Sequence, residues 1–172
     1  MIKFSVTSVS LPDLDVPATC ALLARLGCDG VEWRVRYTSD EARSRGYSFW
    51  GAHKTDLSPA NLAARADEVA RITADHGLQI AAIASNLRAD ECEELKRLAD
   101  GVARLGPVPI RLAAPSGYDR TTPYPALYEQ AVAAYARAVE ILRPLGIRAL
   151  LEIHGGTIMV SASLAYRIAA HF

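Results

Sequence analysis

The chain has 172 residues, 51% of them apolar and 22% charged, with 19 basic residues against 19 acidic ones. That length and apolar share suit one domain with a buried core and exclude a highly charged disordered chain. Zero net charge gives no electrostatic footprint for nucleic acid or an anionic membrane surface, and no apolar run approaches the roughly 20 residues that span a bilayer.

The first expected element is a strand near 2–7, read from IKFSV directly after Met1, which does not resemble a secretion signal. A helix near 16–26 follows, opened by Asp15 ahead of Pro17 and closed at Gly27. CDGVEWRV then gives a strand near 30–35, and a long loop rich in aromatics follows it. Ser58-Pro59 introduces a helix near 59–76, Gly77 ends it, and a strand near 79–85 comes next. Asp90 and Glu93 have the spacing of a capping box for a helix near 91–105, which ends at Gly106 before a strand near 108–114. Thr122-Pro123 opens a helix near 124–145, Gly146 closes it, and the fifth strand runs near 147–153. A last helix begins around Ser161.

The repeating unit is a helix ending in Gly followed at once by an apolar strand. Strands alternating with helices through such short connections imply right-handed βαβ units and a parallel sheet. Each strand also alternates by residue. Ile2, Phe4 and Val6 oppose Lys3, Ser5 and Thr7; Val31, Trp33 and Val35 oppose Glu32, Arg34 and Arg36. Ile110 and Leu112 oppose Arg111, and Ile147, Ala149, Leu151 and Ile153 oppose Glu152 and His154. Strands of an open doubly wound sheet are apolar on both faces. An aliphatic face suited to packing under helices, backed by a polar face, indicates instead a (β/α) barrel with a polar mouth. The fold class is therefore α/β, a TIM-type (β/α) barrel. It is one partial domain over residues 1–172, about five of eight βα units, since a full barrel takes about 250 residues. Two unpaired sheet edges would remain. They are expected to be covered by a C-terminal half or, as a second reading, by self-association into a homo-oligomer.

Cys20, Cys28 and Cys92 are odd in number and lack metal-ligand spacing, which suits free thiols in a cytoplasmic protein.

Barrel chemistry sits at the C-terminal ends of the strands. There the loop after the second strand carries Tyr47, Phe49, Trp50 and His53, which suit either a wall over a small polyol or an anchor for the loop itself. At the fifth strand, LEIHGGT places Glu152 and His154 two residues apart, both facing the mouth. A carboxylate and an imidazole so placed can bind a divalent metal or move a proton. The same pair also suits two groups satisfied by hydrogen bonds at a sheet end.

The βα order, the GVEWR strand, the SFWG loop, the IRLAAPSG strand end and the LEIHGGT strand end together resemble the xylose-isomerase-like superfamily of sugar isomerases and epimerases. The resemblance covers essentially the whole chain. It implies a metal-dependent isomerase or epimerase acting on a small sugar or keto-polyol through an enediolate. It implies Glu152 as a ligand of Mn, Mg, Co or Zn and as an acid/base group, and His154 as a catalytic, substrate-contacting group. Glu32 and Arg111 match substrate-contacting positions, and Trp50 and His53 are expected to join them. The remaining metal ligands in that family come from later strands, so these 172 residues alone are expected to bind metal weakly or not at all and to be inactive. Two alternatives stand beside this. One is a non-catalytic truncated barrel serving as an oligomer subunit. The other is the superfamily's abasic-site endonuclease, against which the third and fourth strand ends, AIASN and RLAAPSG, lack histidine.

Overall fold

A computed structural model describes residues 2–172. Five parallel strands form one sheet in the order β1-β2-β3-β4-β5. They are β1 (Ser5–Thr7), β2 (Gly30–Arg34), β3 (Gln79–Arg88), β4 (Ile110–Ala113) and β5 (Ala149–Leu151). The helices are α1 (Val16–Arg25), α2 (Asp40–Ser44), α3 (Leu62–Asp75), α4 (Cys92–Leu105), α5 (Tyr124–Leu142) and α6 (Ala162–Ala169). Sequential parallel pairing through helical crossovers is the arrangement of a barrel opened along one side.

The core lies between the sheet and its helices. Trp33, Ile83, Ile110 and Leu112 from the strands meet Leu23, Leu98, Leu142 and Tyr135 from the helices, all buried. In α4 the buried residues Leu95, Leu98, Ala99 and Val102 recur at helical spacing, while Glu93–Lys96 and Glu94–Arg97 ion pairs occupy the wet face. Such exposed pairs contribute about 0–1 kcal/mol each, so burial of the apolar stripe dominates. Gly101 lets α4 approach α3 closely: a Cβ there would meet Leu62 Cβ at 2.9 Å.

The helix ends agree with the sequence more closely than the helix starts. Gly27, Gly77 and Gly146 each adopt a positive φ near 70°, at 73°, 72° and 68°, and Gly106 follows α4 at 110°. Asp15 caps α1 by accepting from the Ala18 N–H at 3.0 Å, and Ser161 caps α6 by accepting from Leu164. Three expected caps are replaced. Ser58 heads a turn in which its own N–H donates to Asn61 Oδ1, and α3 starts only at Leu62. Ahead of α5, the carboxylate of Asp119 takes the N–H groups of Thr121 and Thr122, and Pro123 occupies the cap position. Before α4, Glu91 accepts from the Arg88 N–H at 2.6 Å, so Asp90 and Glu93 form no capping box. In each case a nearby turn captures the polar group first.

The aliphatic faces of the edge strands are less covered than their alternation suggests. Ile2 and Phe4 precede β1 and are 80% and 66% exposed, and Ile153 beyond β5 is 50% exposed. Among the described residues no further strand pairs with the outer edge of β1 or β5. No helix is long and apolar enough to cross a membrane among the described residues.

Candidate functional site

The polar face of the sheet gathers its charges at the C-terminal end. Thr7 on β1 pairs in register with Glu32 on β2, and Ala84 on β3 pairs with Arg111 on β4. Glu152 follows β5 directly and is held to the sheet by its N–H, which donates to Leu112 O at 3.0 Å. The Leu112 carbonyl also accepts from Tyr135 Oη at 3.1 Å, so α5 and the Glu152 backbone share one acceptor. Burial, and then the Glu152 charge, push the Tyr135 phenol above its ordinary range and keep it a donor.

Arg111 is the hub. Its Nη1 donates to Glu152 Oε1 at 2.6 Å and its Nε lies 3.9 Å from Glu32 Oε1. The three side chains are 25%, 22% and 22% exposed, so the charges are only partly screened by water. Arg36 stands beside them. Burial lowers its guanidinium pKa, and the neighbouring Arg111 charge lowers it further. Arg34 is buried behind, donating Nη2 to Gly51 O at 2.9 Å and so tying the long loop down. Burial, then the Arg36 charge, bring the Arg34 pKa to about 10.

A cavity of about 330 Å³ opens over this cluster. It is lined by Thr7, Val9, Glu32, Arg36, Phe49, Trp50, Arg111, Glu152 and His154. Its volume is at the small end of the range for ligand pockets. Phe49 and Trp50 stand edge to face with ring centroids 4.6 Å apart and supply the apolar wall. His154 is fixed by its N–H to Met159 O at 3.1 Å, and its Nδ1 lies 2.6 Å from Gly155 O, which makes Nδ1 the protonated nitrogen. In the neutral ring Nε2 is then the acceptor.

Five of the six residues singled out from the sequence thus meet in one cavity: Glu32, Trp50, Arg111, Glu152 and His154. His53 does not. It is buried under the loop, its Nε2 faces Phe49 O at 3.3 Å, and it lines a separate cavity with Arg43, Tyr47 and Asp56. Burial and then the Arg34 charge lower its pKa, which keeps it neutral. Of these loop residues, Phe49 and Trp50 line the cavity, while His53 lies buried under the loop. Arg36 was not singled out from the sequence, although its place in the 32, 34, 36 alternation was the available signal.

Among the described residues no three His, Cys, Asp or Glu side chains cluster to hold a metal ion. Glu152 has one oxygen engaged by Arg111, and the other lining residues with metal-ligand chemistry are Glu32, which faces Arg111, and His154. Hard cations such as Mn²⁺ and Mg²⁺ take about six oxygen-rich ligands, so these residues do not complete a site.

A family model described as xylose isomerase-like TIM barrel matches residues 20–171. The chain belongs to the xylose isomerase-like TIM barrel family. Solved structures agree on the fold of this xylose isomerase-like barrel. The 3-keto-D-glucoside 4-epimerase of E. coli superposes with TM-score 0.71 at 11% identity, over 99% of this chain and 64% of its own. An L-ribulose 3-epimerase gives 0.67 at 19% identity, over 99% and 57%. A xylose isomerase-like TIM barrel protein from Mycobacterium smegmatis, in complex with magnesium, gives 0.59 at 16% identity, over 99% and 63%. The chain therefore spans about three fifths of the length of these structures. No curated protein sequence matches it significantly.

Proposed function

We propose that the protein is a sugar isomerase or epimerase acting on a small sugar or keto-polyol through an enediolate. The observation that carries this reading is the Glu32–Arg111–Glu152 array under a small cavity walled by Phe49 and Trp50. Carboxylates and a guanidinium match the hydroxyls and carbonyl of a sugar, and an apolar ring face matches its C–H face. Glu152 is the group that moves a proton to and from the carbon beside the carbonyl. Arg111 holds that carboxylate in place and places positive charge beside the oxygen that becomes negative. His154 Nε2 accepts from a substrate hydroxyl. The epimerases among the similar structures support the substrate class, and the magnesium complex supports a metal in that family.

The test is exchange of solvent deuterium into ketoses, followed by NMR, with the protein as it is made in its own cell. Exchange into at least one ketose is expected, and Glu152→Gln should slow it by about a hundredfold or more. No exchange into any ketose, or full exchange by the Glu152→Gln protein, rejects the reading.

A divalent metal (Mn, Mg, Co or Zn) belongs to the same proposal only with ligands from outside these residues. Titration of residues 1–172 with Mn²⁺ in a calorimeter should accordingly show no tight stoichiometric binding. A tight complex lost in Glu152→Ala would show that Glu152 and His154 suffice.

The exposed Ile2, Phe4 and Ile153 at the sheet edges favour a second reading, a barrel piece that serves as a subunit of an assembly. Solution mass separates a monomer from that arrangement.

A further inference from the structure

Two buried polar side chains take no part in the proton transfer: Arg34 and His53, 5% and 3% exposed. Both reach the same turn from beneath. Arg34 Nη2 donates to Gly51 O at 2.9 Å, and His53 Nε2 lies 3.3 Å from Phe49 O. A carbonyl oxygen only accepts, so His53 donates through Nε2. The two bonds land on residues 49 and 51 and bracket Trp50. Between them the chain closes on itself, with Gly51 N–H donating to Ser48 O at 3.0 Å and Ser48 N–H to Ala52 O at 3.2 Å. Burial does little to hold this turn, because Phe49 and Trp50 are 44% and 79% exposed. The limbs of the loop have anchors of their own: Arg36 N–H donates to Leu57 O, Lys54 N–H to Pro12 O, and Arg65 Nη1 to Thr55 O. Arg34 and His53 therefore fix the tip and leave the rest of the loop to other bonds.

We propose that Arg34 and His53 are positioning residues, a two-point latch that holds the Phe49–Trp50 turn over the mouth and so sets how closely its apolar wall meets a substrate. The effect on substrate rests on the sugar-site reading above; the latch itself does not. A buried guanidinium without a carboxylate partner is costly, and the bond to Gly51 O is what its burial secures. Each bond is short-ranged and directional, so losing either frees one side of the turn. The wall touches bound substrate before and during reaction alike. Loosening it weakens both states equally, which raises KM and leaves kcat nearly unchanged. Loss of Glu152 acts the other way, on kcat.

The experiment pairs chymotrypsin nicking of the native protein, read by mass spectrometry, with the deuterium-exchange assay. Cleavage of a folded protein follows local opening. Arg34→Met and His53→Leu should each speed cleavage after Phe49 and Trp50 by about tenfold, the worth of one lost hydrogen bond. Cleavage after Tyr166, exposed on α6, serves as the reference and should not change. His53→Gln keeps a donor close to the Nε2 position and should restore most of the protection, which covers the case of an Arg34→Met protein that does not fold. In the exchange assay the loosened variants should raise KM about tenfold and keep kcat within about twofold. Wild-type cleavage of the turn in folded Arg34→Met and His53→Leu proteins overturns the latch. Faster cleavage at the turn and at Tyr166 alike shows a general loss of stability and overturns it too. Selective nicking with KM unmoved overturns the link to substrate. Selective nicking in a protein whose wild type exchanges no ketose upholds the latch and rejects the sugar reading alone.

Discussion

Gly30→Val should lower the stability of the chain by about 3 kcal/mol or more. Gly30 opens β2, in register with Ser5 on one side and Gln79 on the other. A Cβ built there would fall 2.6 Å from the Gln79 carbonyl oxygen and 3.6 Å from Ser5 Cβ. The near atom is backbone and belongs to β3, so no side-chain rotation relieves the clash. β2 and β3 must separate instead, and they carry the centre of the sheet. For a domain of this size the loss corresponds to a fall of about 6–12 °C in melting temperature. Urea unfolding of wild type, Gly30→Ala and Gly30→Val checks it, with alanine expected between the other two. A valine midpoint equal to that of wild type would show that the two strands can part there at no cost.

Arg111→Met should act on both stability and function. It removes the cation at 2.6 Å from Glu152 and 3.9 Å from Glu32, leaving two partly buried carboxylates without compensation. Removing one partner of a fully buried ion pair costs about 3–5 kcal/mol. Because these groups retain about a quarter of their exposure, about 1–3 kcal/mol is expected here. Glu152→Gln added to Arg111→Met should recover much of that loss, since a neutral amide does not need the cation. A double-mutant cycle in urea should therefore show a coupling of about 1 kcal/mol or more between positions 111 and 152. In the deuterium-exchange assay, Arg111→Met should slow the reaction by about a hundredfold. Additive stability effects would mean that the pair contributes nothing to the fold. Unchanged exchange would remove Arg111 from the reaction.

Much of this structure was legible in the sequence, and the parts that were not have identifiable causes. All five strands were found because Gly-ended helices punctuate the chain and each strand alternates with period two. The extension of β3 to Arg88 was not, because the β3–β4 register shifts between Ala84 and Arg88 and no sequence pattern marks that shift. The short α2 escaped because DEARS has no apolar stripe; it is held by Ser39 capping Ala42 and stays on the surface. Glu32, Arg111 and Glu152 could be assigned to the mouth because strand periodicity fixes direction. His53 could not, because a loop has no period and its burial depends on where Arg34 pins Gly51. Arg36 was passed over because an arginine at a strand end reads as a solvated one, and only the fold shows its Nε shut away from water and partners.

The placement of Glu152 has a consequence for motion. It follows β5, a strand of three residues that pairs on one side with β4, while its other side meets no strand among the described residues. Local opening is easiest where paired backbone is shortest and least covered. The amide of Glu152 should therefore exchange with solvent faster than that of Ile83, whose N–H donates to Pro109 O within the central strand β3. The proposed proton-transferring carboxylate thus follows one of the two short edge strands of the sheet, restrained by its backbone bond to the Tyr135-linked Leu112 carbonyl and by the Arg111 ion pair. Any chain that paired with the free side of β5 would raise the opening free energy of Glu152 and sharpen the site from a distance, with no residue of its own in the cavity.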